Sequence, residues 1–204
     1  MEGGFELRPG ESVNVTAEYY ATIWGRNGCL FDHSGHGTCV TGDCGGVLRC
    51  AEATQNMIPV LPVTYAVLNF YNVLPDFYAV SVANGFNLPM SILPYGHPAG
   101  AGQCNASSCF TDLNQICPSE LQVRSNGSNG QIVVRKSPCV AFNKPEFCCP
   151  SVAHFPEDPP TDESCKPTRY SAAFQAACPT ALVHSTLDWM RFGCDDANYL
   201  ISFC

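Results

Sequence analysis

The sequence predicts a mainly β protein in which an antiparallel β-sandwich carries two smaller disulfide-rich lobes. Its 204 residues include 16 prolines and 17 glycines but only 14% charged residues, too few to cover the solvent faces of long helices. Short segments alternate apolar and polar residues, which is typical of strands with one buried face. Fourteen cysteines cluster between these segments. The chain is also long enough to bury a substantial core.

The alternating segments mark the predicted strands of the sandwich. Asn84-Gly85 is a dipeptide typical of the tight turns that connect such strands. We therefore assign residues 1–26, 57–103 and 179–204 to the sandwich core. The predicted strands are Ser12–Thr16, Tyr20–Trp24, Val60–Thr64, Phe77–Val82, Leu88–Ile92 and Tyr199–Phe203.

Two cysteine-rich stretches interrupt the strand pattern. Residues 27–56 form the predicted small lobe, because four cysteines fall there within 22 residues, too closely for a sheet core. Residues 104–178 contain eight cysteines and form the larger lobe. Apolar periodicity places its short helices at Phe110–Ile116 and Tyr170–Ala177. The Pro-rich and acidic segment 154–164 is predicted to be an exposed loop.

The cysteine content indicates an oxidising, extracellular environment, since a cytosol would keep so many thiols reduced. Three N-glycosylation sequons, at Asn14, Asn105 and Asn126, agree with secretion. The start of the chain lacks the charged and apolar regions of a signal peptide, so we expect the sequence to be truncated at its front. No apolar run reaches about 18 residues, and we expect no membrane span.

Charge and residue types exclude several classes of function. The net charge of −8, with only 10 scattered Lys and Arg residues, argues against nucleic-acid binding. His33 and His36 are a conceivable metal pair, but no second ligand pair lies near them, and we expect neither a metal nor a cofactor. We expect the protein to be a monomer.

The segment from Gly35 to Cys50, GHGTCVTGDCGGVLRC, resembles the signature of the thaumatin-like proteins, the group-five pathogenesis-related family. Its beginning also looks like the histidine segment of subtilisin-type proteases, but no matching Gly-Thr-Ser nucleophile segment follows. The thaumatin-like resemblance extends over the whole chain. Further matching segments are Gly4–Leu7, Trp24–Arg26, Gly85–Met90, Cys117-Pro118, Phe147–Cys149, Lys166–Ser171 and Ser202–Cys204.

This resemblance implies a β-sandwich with two disulfide-rich lobes, a cleft between the sandwich and the larger lobe, and sixteen cysteines where this chain has 14. It leaves Cys117 and Cys204 unpaired. The family's partner position for Cys117 is occupied by Arg135, and the family's partner for Cys204 lies in an N-terminal strand that is absent here. A Cys117–Cys204 bridge is the alternative. The implied pairs are Cys29–Cys39, Cys44–Cys50, Cys104–Cys194, Cys109–Cys178, Cys139–Cys148 and Cys149–Cys165.

The family cleft is associated with one Arg and four carboxylates. Arg26 retains the basic position, and we predict that it anchors neighbouring backbone carbonyls, with ligand binding as the alternative. Asp32 and Asp43 are predicted to cap local amides. All four carboxylates are replaced, so we expect no catalytic residue. The replacing residues are Val67, Ala79, Asn84 and Thr180.

Aromatic side chains offer another route to carbohydrate binding, although packing in the core is the expected role of any one of them. The candidates on the cleft segment are Phe77, Tyr78, Phe86 and Tyr95.

Three functions follow as hypotheses. The first is a secreted, non-catalytic defence or stress protein that binds carbohydrate of the β-glucan type or a protein, with antifungal action implied by the resemblance. The second is an endo-β-1,3-glucanase using unrecognised carboxylates, for which Asp76, Glu120 and Glu146 are candidates. The third is an inhibitor of a secreted hydrolase, inserting the loop at 154–164 into its target.

Overall fold

The computed structural model describes residues 3–50, 59–70, 75–124, 132–144, 147, 167–183 and 192–204. Twelve strands occur within these ranges, together with two α-helices, α1 at Pro138–Phe142 and α2 at Arg169–Ala177. The strands are β1 Tyr20–Trp24, β2 Leu30–Phe31, β3 Gly37–Thr38, β4 Tyr65–Asn69, β5 Asp76–Ser81, β6 Gly85–Phe86, β7 Met90–Tyr95, β8 Ser107–Cys109, β9 Gln122–Arg124, β10 Ile132–Lys136, β11 Phe192–Cys194 and β12 Asn198–Phe203.

Two antiparallel sheets form the sandwich. One has the strand order β1-β4-β5-β11 and the other the order β12-β7-β8. They contact each other through β4 and β5 on one side and β7 and β8 on the other. The core between them includes Leu68, Tyr78, Val80, Met90 and Ile92, all at most 3% exposed. The predicted mainly β, sandwich-based fold class is confirmed.

The register of the first sheet decides which side chains enter this core. Ala66 faces Val80 and Leu68 faces Tyr78 across the β4–β5 ladder, and all four are buried. Because side chains alternate along a strand, their neighbours Tyr65 and Val67 must point to the opposite face of the sheet.

The cysteine-rich regions contribute most of the remaining elements and of the disulfide cysteines. The β2–β3 hairpin belongs to the first region, where disulfides join Cys29 to Cys39 and Cys44 to Cys50. The second region contains α1, α2, two strands of a three-stranded sheet of order β6-β10-β9, and also β8, which belongs to the sandwich. Disulfides also join Cys104 to Cys194 and Cys109 to Cys178. These four are among the pairs that the resemblance implies; the boundaries at 27–56 and 104–178 stay predictions.

The turn before β6 depends on Gly85. Its φ is +129°, in a region that side-chain-bearing residues rarely adopt, and its amide donates to the carbonyl of Val82 at 3.1 Å. A Cβ at this position would lie 2.6 Å from the backbone oxygen of Arg135. The turn predicted at Asn84-Gly85 is therefore confirmed.

Helix α2 covers the predicted segment Tyr170–Ala177 and begins one residue earlier. The helix predicted at Phe110–Ile116 is wrong. There the carboxylate of Asp112 accepts a hydrogen bond from the amide of Asn114 at 3.0 Å, a local turn that competes with helical hydrogen bonding.

Two predicted strands are also absent from the described part of the chain. Ser12–Thr16 is exposed along its whole length, so its alternating pattern has no buried face to stabilise a strand. In Val60–Thr64, the amide of Thr64 donates to the side chain of Asn87 at 2.9 Å and makes this segment a connection leading into β4. Neither described helix is long and apolar enough to cross a membrane.

Candidate functional site

One face of the sheet β1-β4-β5 points away from the sandwich core, and we call it the open face. Its residues lie in three cross-strand rows, because Thr22 pairs with Val67 and Val67 pairs with Ala79. None of its residues carries a charge. The open face consists of Tyr20, Thr22 and Trp24 from β1, Tyr65, Val67 and Asn69 from β4, and Phe77, Ala79 and Ser81 from β5. Ala79 and Ser81 are buried, so the accessible part of this face lies toward Tyr20, Asn69 and Phe77.

Hydroxyl and amide groups form short hydrogen-bonded chains on and beside the open face. The hydroxyl of Thr22 donates to the phenolic oxygen of Tyr20 at 2.8 Å. At the end of the sheet, the amide of Asn84 donates to the phenolic oxygen of Tyr65 at 3.1 Å. Burial raises the pKa of Tyr65, so this phenol stays neutral at physiological pH. The face therefore offers neutral polar groups beside aromatic rings.

The four positions expected to carry carboxylates hold uncharged residues with packing or structural roles. Val67 and Ala79 face each other across the β4–β5 ladder. Asn84 bonds to Tyr65, as above. Thr180 lies elsewhere, where its hydroxyl accepts a hydrogen bond from the amide of Ser108 at 2.9 Å and ties the segment after α2 to β8. The open face thus lacks the carboxyl pair that glycoside hydrolysis requires.

The side chain of Arg26 makes its contacts with the small cysteine-rich region. Its guanidinium donates to the carbonyls of Val47 at 2.9 Å and Leu48 at 2.6 Å, and it lies over the ring of Phe31 at 5.2 Å. Burial lowers its pKa, while Asp43 opposes that shift. These contacts agree with the predicted anchoring of backbone carbonyls and leave little of the guanidinium for a ligand.

The aromatic candidates separate into different environments. Tyr78 is 1% exposed and Phe86 is fully buried, so these two candidates pack in the core and cannot contact a ligand there; the register turns Tyr78 toward the core. Tyr95 is 52% exposed but lies on β7, in the other sheet. Phe77 alone lies on the open face, in the same row as Tyr20.

Tyr20, Thr22 and Tyr65 were not predicted as site residues from the sequence. Their signal was present, since Tyr20–Trp24 was predicted as an alternating strand. The alternating sequence pattern does not reveal the register. Only the register places β1 beside β4 and aligns Tyr20 with Phe77.

The alternative catalytic carboxylates belong to separate networks. Asp76 points to the same side of β5 as Tyr78, away from the open face, and accepts a 3.5 Å hydrogen bond from the hydroxyl of Tyr199. Glu120 accepts a 2.8 Å hydrogen bond from Tyr170 and lies 3.6 Å from the guanidinium of Arg169. Glu146 lies outside the described residues, as does the loop at 154–164.

Asp32, Ser34 and His36 meet in one exposed turn, but not as a catalytic triad. The carboxylate of Asp32 accepts hydrogen bonds from the amides of Ser34 and His36, each at 2.9 Å, and from the Ser34 hydroxyl at 2.6 Å. In a triad the aspartate orients the histidine, whereas here it holds the serine proton. These bonds lower the pKa of Asp32, the Ser34 hydroxyl contributing most. Asp32 is a local cap, as predicted.

Asp43 also caps a turn, because its carboxylate accepts a hydrogen bond from the amide of Gly46 at 3.0 Å. Its other oxygen is buried and has no hydrogen-bond partner within the described residues.

Potential metal ligands converge at one place among the described residues, where atoms of His97, Cys104 and Cys194 lie within 4.8 Å of one another. Two of these ligands are the sulfurs of the Cys104–Cys194 disulfide, which removes their metal-binding thiolates. The cluster does not include His33 or His36.

The remaining cysteines behave differently. Cys117 is free and buried, and Cys204 is free and exposed, so no bridge joins them. Cys139 is disulfide-bonded. Its predicted partner Cys148, and the predicted pair Cys149–Cys165, lie outside the described residues.

Two of the three sequons can be located. Asn14 is exposed on the N-terminal segment. Asn105 is exposed as well, but the hydroxyl of its sequon partner Ser107 is buried and donates to the carbonyl of Thr180 at 2.9 Å. Asn126 lies outside the described residues.

A groove separate from the open face is lined by residues of both cysteine-rich regions, by residues 87–89 and by the C-terminal residue Cys204. Its volume is about 460 Å³, and Asn27, Asp112 and Val133 are among its walls. It shares no residue with the open face.

Comparison with known proteins relates the whole chain to a single family. The family model described as the Thaumatin family matches residues 1–204. The pathogenesis-related thaumatin-like protein 3.5 of Cryptomeria japonica is 43% identical over 206 residues, covering 100% of this chain and 78% of that protein. Pathogenesis-related protein 5 of Arabidopsis thaliana is 42% identical over 207 residues, and the match covers 100% of this chain and 79% of the Arabidopsis protein.

Two further matches have names that state an activity. A glucan endo-1,3-beta-glucosidase of Prunus avium is 39% identical over 213 residues, covering 98% of this chain and 78% of that protein. The solved structure of a thaumatin-like xylanase inhibitor is 34% identical with a TM-score of 0.41, covering 54% of this chain and 69% of the inhibitor. The match over the full chain and the identity to curated relatives show that this chain belongs to the thaumatin family.

Proposed function

We propose that this chain is a secreted, non-catalytic member of its family that binds a neutral β-glucan on the open face. The single observation that carries the proposal is the row of Tyr20, Asn69 and Phe77, which sets aromatic and amide groups side by side on an uncharged surface. Sugar rings stack on aromatic faces, while their hydroxyls bond to amide and phenol groups.

Exposure makes Tyr20 the principal contact of this surface. Its side chain is 59% exposed, and the Thr22 hydroxyl that donates to its phenolic oxygen limits its rotation. A rigid aromatic group loses little conformational entropy when a ligand stacks on it. Tyr65 and Asn84 bond to each other at the more buried end of the face, where Tyr65 pairs with the buried Ser81, so they are not expected to contact the ligand first.

The absence of a carboxyl pair on the open face favours binding over hydrolysis. A glycosidase needs two carboxyl groups about 5–10 Å apart. Asp76 and Glu120, the described alternatives, are engaged with Tyr199 and Tyr170 in separate places. The glucanase-named relative supports glucan as the ligand class, and the disulfides support an extracellular location.

Calorimetric titration with a soluble β-1,3-glucan, combined with a reducing-sugar assay, tests this function. We expect saturable binding without release of reducing sugar. Tyr20→Ala should weaken binding about 3- to 10-fold, which corresponds to the loss of one aromatic contact.

Tyr95→Ala is the matched control, because Tyr95 is 52% exposed on the opposite sheet and lies outside the open face. Its affinity should equal that of the unmodified chain. Sugar release that a single carboxylate substitution abolishes would replace this proposal by the glucanase, and equal loss of binding in both tyrosine variants would refute the open face as the site.

A further inference from the structure

Arg135 is a buried cation that has no hydrogen-bond partner within the described residues. It lies on β10, where it pairs with Phe86 of β6 on one side and Gln122 of β9 on the other, and it is 1% exposed. Its Nε, Nη1 and Nη2 atoms donate to no neighbour in the described part of the chain. Its guanidinium carbon lies 3.5 Å from the centre of the Phe174 ring of α2.

Among the described residues, this arrangement leaves most of the charge of Arg135 uncompensated. Contact with an aromatic face offsets part of the cost of removing a cation from water, but the N–H donors of the guanidinium remain unsatisfied. Burying an ion without a counter-ion is costly, and proteins usually avoid it by pairing the ion. Arg135 therefore creates a site that favours the arrival of an anion.

Cys117 is the free thiol that interacts electrostatically with this cation. The side chain of Gln122, which faces Arg135 across the ladder, donates to the Cys117 carbonyl at 2.8 Å. The thiol is free, 6% exposed and weakly bonded to the carbonyl of Pro118 at 3.4 Å. Burial, together with the carboxylate of Glu120, raises the pKa of Cys117 to about 11 although Arg135 lowers it, so at neutral pH the thiol carries no charge and does not balance the guanidinium.

We propose that Cys117 is a site of oxidative modification by hydrogen peroxide, with Arg135 as the counter-ion of the anionic product. In the first step the thiol gives up its proton, the thiolate sulfur attacks one peroxide oxygen, the O–O bond breaks and sulfur loses two electrons. The departing hydroxide takes up the proton that the thiol released and forms water. A second peroxide repeats this oxygen transfer and converts the sulfenic acid into a sulfinic acid. Its ionised form, the sulfinate, supplies the negative charge that Arg135 lacks.

The closed structure controls access to this site. A buried thiol with a raised pKa reacts slowly, and oxidation must proceed through local opening of the region around Cys117. The uncompensated guanidinium promotes this opening, because Arg135 gains hydration whenever the region opens. When the region closes again, the sulfinate of Cys117 and the guanidinium of Arg135 come together. Their attraction stabilises the modified state.

Pairing of oxidised Cys117 with Arg135 predicts that oxidation stabilises the protein. Adding a charged group to a core normally destabilises a protein. Here peroxide treatment of the Cys204→Ser variant, which retains Cys117 as its described free thiol, should raise the melting temperature by about 2–4 °C. In the double variant Cys204→Ser with Arg135→Met, the same modification should lower the melting temperature.

Mass spectrometry of the Cys117 peptide, showing two added oxygens, would establish the extent of modification. The matched control is Cys117→Ser in the Cys204→Ser background, which reports any effect of methionine oxidation. A fall in melting temperature with Arg135 present, or equal shifts with and without it, would overturn the proposal, as would a Cys117 peptide that gains no oxygen.

A second variant tests the counter-ion without peroxide. Cys117→Asp places a carboxylate at the same position, and we expect this protein to fold with a melting temperature at least equal to that of Cys117→Ser. Combined with Arg135→Met, the aspartate should prevent folding or lower the melting temperature well below that of Arg135→Met alone. If Cys117→Asp is tolerated no better with Arg135 present than in the Arg135→Met background, the pairing is refuted.

Discussion

Tyr78 shows how one side chain connects the sandwich to the rest of the chain. Its ring lies in the core, at 5.0 Å from the ring of Tyr199 and 6.0 Å from that of Phe192. Its hydroxyl donates to the carbonyl of Asn105 at 2.6 Å. Burial raises the pKa of Tyr78 to about 12, because the phenolate would lose its hydration.

This shift predicts the alkaline stability of the protein. An unfolded tyrosine ionises near pH 10, so the contribution of Tyr78 is complete below about pH 10 and is lost as the pH rises toward 12. We expect Tyr78→Phe to reduce the alkaline loss in the free energy of unfolding by about 1–2 kcal/mol. Urea denaturation at several pH values measures the slope. The exposed control Tyr95→Phe should retain the original profile, and an unchanged slope in Tyr78→Phe would contradict the assignment.

Helix α2 illustrates how a short element is stabilised at its start. The hydroxyl of Thr168 accepts a hydrogen bond from the amide of Ser171 at 3.2 Å, and the Ser171 hydroxyl accepts one from the amide of Thr168 at 2.7 Å. This reciprocal capping box satisfies two amides that the helix leaves unpaired. Further along the same helix, Phe174 packs its ring against the guanidinium of Arg135.

Loss of the cap should weaken α2 measurably. Thr168→Ala removes the hydroxyl acceptor and should lower the free energy of unfolding by about 1 kcal/mol. Thr168→Ser retains the acceptor and should differ from the original protein by less than about 0.5 kcal/mol. Both values come from urea denaturation. Equal losses in the two variants would show that the methyl group, and not the hydrogen bond, matters.

The disulfides constrain the molecule over different distances along the chain. Cys104–Cys194 joins residues 90 positions apart and links the segment before β8 to β11. Cys44–Cys50 closes a loop with a separation of only 6 residues. A crosslink removes more freedom from the unfolded chain when it closes a longer loop.

The two disulfides should therefore differ in their contribution to global stability. Replacing Cys104 and Cys194 together by alanine should cost about 4 kcal/mol, against about 2 kcal/mol for the same change at Cys44 and Cys50. Denaturation under non-reducing conditions gives both values. A larger loss from the short loop would indicate that strain or packing outweighs the chain entropy.

Local patterns were sufficient for much of the fold. Tyr20–Trp24 and Tyr170–Ala177 were located because alternation and helical periodicity act over a few neighbouring residues. Ser12–Thr16 shows the limit of such patterns, since it alternates in the same way but remains exposed and forms no strand. A strand forms only where another part of the chain supplies a partner edge and a surface to cover it.

The amino-acid sequence was enough to predict the family and the mainly β class, because cysteine spacing and alternation are local properties. The open face and the Arg135 site required the tertiary structure. Register decides whether Tyr78 or Phe77 reaches solvent, and only packing of α2 against β10 shows that the guanidinium of Arg135 is buried without a counter-ion among the described residues. Both results depend on residues distant in the chain, whose relative positions no short-range pattern encodes.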